Sequence, residues 1–181
     1  LGNINRSFHA DIPSVVPELS GIIEVSCCHS HCIALNENGQ VFFWNKTTLP
    51  TLIENIPPIK TISCSFLTAM VSHDGKLYHF YLEEFTNIQS NKLKEIRSLY
   101  FGRYHGFILC NNGDIYSIGR NGEGQTGHFP SLSISNFTFL TNCKHVVSIS
   151  CSISATIFLL DDGTVWGCGI LSQEGLSPLI G

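Results

Sequence analysis

Apolar and polar positions along the chain follow one scheme four times: an alternating apolar stretch, a short polar turn ending in glycine, and a second apolar stretch. The scheme spans His31 to Trp44, Thr68 to Phe80, His105 to Ile118 and Ala155 to Cys168, with the turn glycine at Gly39, Gly75, Gly113 and Gly163. Each glycine follows Asn or Asp, a dipeptide that accepts positive φ and closes a tight antiparallel hairpin. Leu35, Val71, Leu109 or Leu159 stands before the turn, and Val41, Leu77, Ile115 or Val165 follows it, next to Phe42, Tyr78, Tyr116 or Trp166. Branched and aromatic residues at fixed offsets around a turn predict strands with a buried face, so these aromatics, and Trp44 and Trp166 with them, are expected in the core.

A third apolar stretch precedes each hairpin: Ile22 to Cys27, Ile59 to Cys64, Ile96 to Phe101 and Val146 to Cys151. The repeating unit is therefore three strands plus a variable connector, with repeats at 17–56, 57–92, 93–139 and 140–181 and with 1–16 as the tail of a preceding repeat. Only the charged stretch from Leu93 to Arg97 carries helical propensity. Self-similar antiparallel units without crossover helices predict an all-β chain, a partial β-propeller of about four blades. A β-sandwich is the alternative, but equal, self-similar units are not its habit.

Composition narrows the function classes. Hydrophobic residues make up 43% of the 181 and charged residues 13%, enough apolar material for a core. Lys and Arg number ten against fourteen Asp and Glu, a net charge of −4, and no segment gathers the basic stripe that a phosphate backbone requires. No apolar run reaches the length of a membrane-spanning helix, and the first residues lack a basic-then-apolar leader. The eight cysteines are scattered over the whole length and read as reduced core residues. The Asn-x-Ser/Thr triplets at Asn5, Asn45 and Asn136 read as chance occurrences.

The run Val25-Ser26-Cys27-Cys28-His29-Ser30-His31-Cys32-Ile33-Ala34-Leu35, with Gly39-Gln40-Val41-Phe42-Phe43-Trp44 after it, resembles the regulator of chromosome condensation repeat. That repeat reads Val-Ala-Cys-Gly, two residues, His-Thr, an Ala-Leu pair, Asp-Gly, Val-Tyr and Trp-Gly. The third repeat adds Gly119-Arg120-Asn121-Gly122-Glu123-Gly124-Gln125-Thr126-Gly127, similar to the family's stretch ending in Gly-Gln-Leu-Gly, and Leu1-Gly2-Asn3 is similar to the tail of another. The repeat signature is carried by Cys27, His31, Gly39, Trp44, Cys64, Gly75, His105, Gly113, Gly119, Gly124, Gln125, Gly127, Cys151, Gly163 and Gly169. Departures are Ser65 at a glycine position and connectors without the Gly-Gln-Leu-Gly element in the first two repeats. The Gly-His and Trp-Asp landmarks of WD repeats and the paired glycines of kelch repeats are missing.

The resemblance implies a propeller usually of seven blades, of which this chain would be a fragment. It also implies a protein–protein interaction scaffold whose function lies in its loops, with no cofactor and no covalent catalysis. The alternative is guanine-nucleotide exchange on a Ran-like small GTPase, which is the founding member's activity. Other relatives sit within HECT-type ubiquitin ligases or act as scaffolds. No exchange-factor residue carries over by position. The expected partner is a protein, a small GTPase among the candidates, and the expected compartment is the cytoplasm, with the nucleus as second choice.

Three clusters invite other chemistry. Cys27-Cys28-His29-Ser30-His31-Cys32 holds zinc-type donors, but no second knuckle with matching spacing accompanies it, so no metal is expected. Cys27, Cys64 and Cys151 share one step of the repeat, where a small apolar residue packs between blades. His31 and His105 also share a step, filled by Leu67 and Ala155 in the other repeats, which reads as a structural hydrogen-bonder and not a general base. The run from Gly119 to Gly127 lacks the Lys-Ser/Thr and following helix of a phosphate loop and reads as tight turns in the connector between blades. Glu83-Glu84 and Asp161-Asp162 read as solvated turn charges, leaving no catalytic residue to name.

Overall fold

The computed structural model describes residues 12–65, 68–81, 84–88, 93 and 95–171, and divides into two compact units, Leu1–Lys92 and Leu93–Gly181. Every regular element among these residues is a strand. In the first unit β1 (Ile22–Cys27), β2 (His31–Asn36), β3 (Val41–Asn45) and β4 (Thr51–Leu52) form one antiparallel sheet in chain order. The next sheet comprises β5 (Ile59–Cys64), β6 (Thr68–Ser72), β7 (Leu77–Tyr81) and β8 (Glu84–Ile88). In the second unit β9 (Ile96–Phe101), β10 (His105–Cys110), β11 (Ile115–Asn121) and β12 (Ser131–Phe139) form the third sheet, and β13 (Val146–Cys151), β14 (Ala155–Leu160) and β15 (Val165–Gly169) the fourth.

The hairpin turns explain the recurring glycine. In each, the glycine N–H returns to a carbonyl three residues back, Asn36, Ser72, Cys110 or Leu160, at 2.9–3.1 Å. Only the glycine takes positive φ, +77° at Gly39 and +80 to +85° in the others, while the preceding Asn or Asp does not. The loop is thus a three-residue turn closed by a bulge glycine, one residue longer than a two-residue Asn-Gly hairpin. A second bulge recurs where the first strand of each sheet pairs with the second: the register shifts between Ile22 and Glu24, between Ile59 and Thr61, opposite Leu109 and Cys110, and between Val146 and Ser148.

Each unit has its own core. In the first, Ile33, Leu35, Val41, Ile59, Ile62 and Met70 are buried together between the two sheets. In the second, Phe107 meets Phe158 edge-on at 5.3 Å, among Leu109, Ile115, Val146 and Ile149. Residues β2 and β10 contribute run apolar on both faces, which is the pattern of a strand covered from two sides.

Four expectations are corrected. In the first three repeats the unit is four strands and not three plus a connector, because β4, β8 and β12 pair with the third strand of their sheets; the fourth sheet has three among the described residues. The described residues between Leu93 and Arg97 form no helix: Glu95 has φ +52°, incompatible with one, and β9 starts at Ile96. Glu84 opens β8 and does not sit in a turn, while Glu83 lies outside the described residues. Trp44 is buried as expected, but Trp166 is 51% exposed, since no described strand pairs with the far edge of β15. Leu1-Gly2-Asn3, Asn5 and Leu67 also fall outside the described residues.

Candidate functional site

Two histidine clasps tie neighbouring sheets, one within each unit. In the second unit His105 opens β10, and its Nε2 lies 2.7 Å from Oγ1 of Thr156 on β14. That hydroxyl donates its one proton to the Gln125 carbonyl at 2.8 Å, so His105 must carry its proton on Nε2 and donate. Both residues are buried, His105 to 2% exposure, and burial pushes the imidazole pKa below its usual value, which keeps it neutral. Cys151 lies beside the clasp, its thiol pKa pushed up by burial to about 12. Gly102 completes it, where a β-carbon would stand 2.7 Å from Cys151 Cβ.

The first unit builds the same clasp with different neighbours. His31 Nε2 lies 2.6 Å from Thr68 Oγ1, and Thr68 in turn is 3.7 Å from Cys64 Sγ, as Thr156 is near Cys151. Cys28 takes the place of Gly102: its N–H bonds the His31 carbonyl as that of Gly102 bonds His105. The imidazole is therefore flanked by two thiols, Cys28 Sγ at 3.3 Å from Nδ1 and Cys64 Sγ at 3.1 Å from Nε2. Ser30 Oγ lies 3.0 Å from Nδ1, and Phe43 lies against the ring at 5.1 Å. Burial pushes the Cys28 thiol up, but hydrogen bonds from Ser30, His31 and Cys64 outweigh it and leave the pKa below the usual thiol value. Burial dominates at Cys64, whose pKa is raised.

Glu24 adds a second link between these sheets, its carboxylate accepting from Thr61 Oγ1 at 3.1 Å and the Ile62 N–H at 3.2 Å. Burial raises its pKa in spite of those bonds.

The glycine-rich run is a polar knot. The Asn121 side-chain oxygen accepts from the Thr126 hydroxyl at 2.6 Å and from its N–H at 3.2 Å, while the amide donates to the Phe129 carbonyl at 2.8 Å. Asn121, Gln125 and Thr126 have no exposed surface, and Gly124 and Gly127 take positive φ in successive turns. The knot joins the third and fourth strands of one sheet and is not a connector between blades; its Gln125 carbonyl accepts from Thr156 and Cys168 of the next sheet. Arg120 N–H bonds the Tyr104 carbonyl at 2.8 Å, which draws the β9–β10 turn to the same end. Arg103 covers the Tyr104 ring at 5.0 Å, while Phe129, in the loop between β11 and β12, is 95% exposed and Ile153, between β13 and β14, is 52% exposed.

The cysteines divide by position. None of the eight is bridged; Cys64, Cys110 and Cys143 are buried and Cys27 is exposed. Cys27 thus departs from its expected packing between blades: Cys64 N–H bonds Ser26 Oγ and Cys151 Sγ bonds the Tyr100 carbonyl of the preceding sheet, whereas no described strand precedes β1. Spacing along the chain gives no sign that Cys64 belongs with this cluster, because only folding brings it to Cys28 and His31. Asn121 organises this loop, a role its place among turn glycines signals.

Comparison with known proteins matches the Regulator of chromosome condensation (RCC1) repeat to residues 96–125 and 146–175. An RCC1 domain-containing protein of Dictyostelium discoideum is 35% identical over 121 residues, covering 60% of this chain and 16% of that protein. Protein RCC1 of Candida albicans is 28% identical over 109 residues, covering 59% of this chain and 21% of that protein. The crystal structure of Prp20p from Saccharomyces cerevisiae superposes with a TM-score of 0.74 at 19% identity, over 85% of this chain and 47% of that one, and gives the fold as a partial β-propeller. The chain thus spans about a fifth or less of these curated relatives' length.

Proposed function

Because the chain belongs to the regulator of chromosome condensation (RCC1) repeat family, we propose that it works by binding a protein partner on the strand-end loops of its second unit, without covalent catalysis. The observation that carries this reading is that exposed Arg103, Tyr104, Arg120 and Phe129 sit on loops and a strand end whose backbones are tied together by the Arg120–Tyr104 bond and by the buried Asn121. Arginine and aromatic residues dominate the energetics of protein interfaces, and a frame that is already ordered lowers the entropy lost on docking. Prp20p is described with binding properties to Gsp1p and histones, which makes a small GTPase and histones the first probes to try. The full chain titrated with each probe is expected to lose at least about tenfold in affinity on Phe129→Ala with Arg103→Ala, typical of interface anchors. A variant that binds as tightly as the parent removes this surface from the reading.

A second reading, nucleotide exchange, is favoured by the likeness to RCC1 of Candida albicans. Incubating the chain with Ran and related GTPases loaded with fluorescent GDP separates the two: acceleration of release supports exchange, and no effect across the panel leaves the docking reading alone.

A further inference from the structure

We propose that Cys28, His31 and Cys64 form a zinc site, ligating through the two Sγ atoms and His31 Nε2, with the fourth position open to solvent. These ligand atoms all lie within 4.8 Å of one another. From Nε2 the sulfurs stand at 3.1 Å for Cys64 and 3.9 Å for Cys28, distances that bracket the roughly 3.5 Å separating nitrogen and sulfur on a tetrahedral zinc. Two thiolates and one imidazole are a zinc donor set, and three protein ligands leave a position for water.

The surroundings favour this at one clasp and not at the other. Ser30 Oγ stands beside Nδ1 and accepts from an Nδ1–H, the tautomer that leaves Nε2 unprotonated and able to ligate once the Thr68 hydroxyl, 2.6 Å away, gives up its contact to the metal. In the second unit the Thr156 hydroxyl spends its proton on the Gln125 carbonyl, so the His105 Nε2 carries a hydrogen, and Gly102 supplies no second thiol. Cys28 at the glycine position is what converts a structural clasp into a ligand set. Binding would release both thiol protons and join the β1–β2 turn to the end of β5, linking the two sheets of the first unit.

The test uses the full chain, reduced and freed of metal, titrated with cobalt(II) and then zinc(II). One equivalent of cobalt is expected to produce thiolate charge-transfer absorption with the visible bands of a tetrahedral ion, and zinc to bleach both. Cys28→Gly, which restores the residue found at the other clasp, is expected to abolish the signal and weaken zinc binding by at least about tenfold. Zinc should raise the melting temperature of the parent and not of this variant. Cys28→Ser, close to the parent in volume, gives the same loss should the glycine variant fail to fold. Cys27→Ser, altering an exposed neighbour, should leave the spectrum unchanged. The proposal is overturned by absence of the cobalt bands in the parent, by zinc binding as tight as the parent's in the Cys28 variants, or by loss of the signal in Cys27→Ser.

Discussion

The two histidine clasps share a His, a Thr and a Cys at the same steps of the repeat, and differ in what surrounds them. His105 lies beneath a loop of nine residues, Gly122 to Pro130, whose Gln125 carbonyl fixes the proton of Thr156. His31 is only half-buried, and β3 and β4 of its sheet are joined by the five residues from Lys46 to Pro50. The long loop closes the second clasp and commits its imidazole to one tautomer. Where the connector is short, the imidazole stays partly open, and Cys28 at the glycine position gives it a second thiol. Repeat position therefore fixes the backbone frame, while the neighbouring connector decides whether the same side chain is sealed or chemically available.

The largest expected effect tests the sealed clasp. His105→Ala leaves Thr156 without its donor and opens a cavity beside Phe107, and should cost about 3 kcal/mol. His31→Ala, at a half-exposed site, should cost about 1–2 kcal/mol. Urea unfolding midpoints of the two variants measure the gap, and equal losses would erase the distinction drawn between the clasps. Next in size is Asn121→Ala, which frees the Thr126 hydroxyl and the Phe129 carbonyl together and should cost about 2–3 kcal/mol. It should also speed amide exchange across Gly122 to Pro130; unchanged exchange there would mean the loop is held by something other than Asn121.

Gly102→Cys asks whether the open arrangement can be transplanted. A β-carbon at Gly102 meets Cys151 Cβ at 2.7 Å, so the second unit must shift to admit it, at about 1–2 kcal/mol. Cys28→Gly in the first unit removes a half-exposed side chain and should stay within about 1 kcal/mol of the parent. A Gly102→Cys variant as stable as the parent would show that both clasps have room for the thiol.

Strand positions were legible in the chain because buried faces impose a period: β1, β5, β9 and β13 begin and end where the apolar stretches do. The fourth strands were not. β12, Ser131 to Phe139, is almost wholly exposed and rich in Ser, Thr and Asn, and β4 is two exposed residues, so neither carries a buried alternation to detect. Of the candidate site, His31 and His105 stood out as a shared step, but their Thr partners lie 37 and 51 residues away in other strands. The pairing of Cys28 with Cys64 is invisible for the same reason, since spacing rules read ligands that are close in sequence.

The smallest effect separates the clasps by pH. Burial holds the imidazoles of His31, His79 and His105 below the ordinary histidine value. The unfolded chain therefore takes up protons first as pH falls through about 6.5, so this contribution to stability is complete above that pH and is lost progressively below it. Glu24, raised by burial, works in the opposite direction at lower pH, because its protonation favours the folded state. Its contribution is common to every histidine variant and cancels when each is compared with the parent. His105→Gln keeps an amide N–H for Thr156 and removes the titration, so the fall in urea midpoint between about pH 7 and 5.5 should flatten. His31→Gln should flatten it less, because a half-exposed imidazole gives up less hydration on folding. If the two variants flatten the profile equally, the difference in sealing does not reach the proton equilibria, and the contrast between the clasps is one of packing alone.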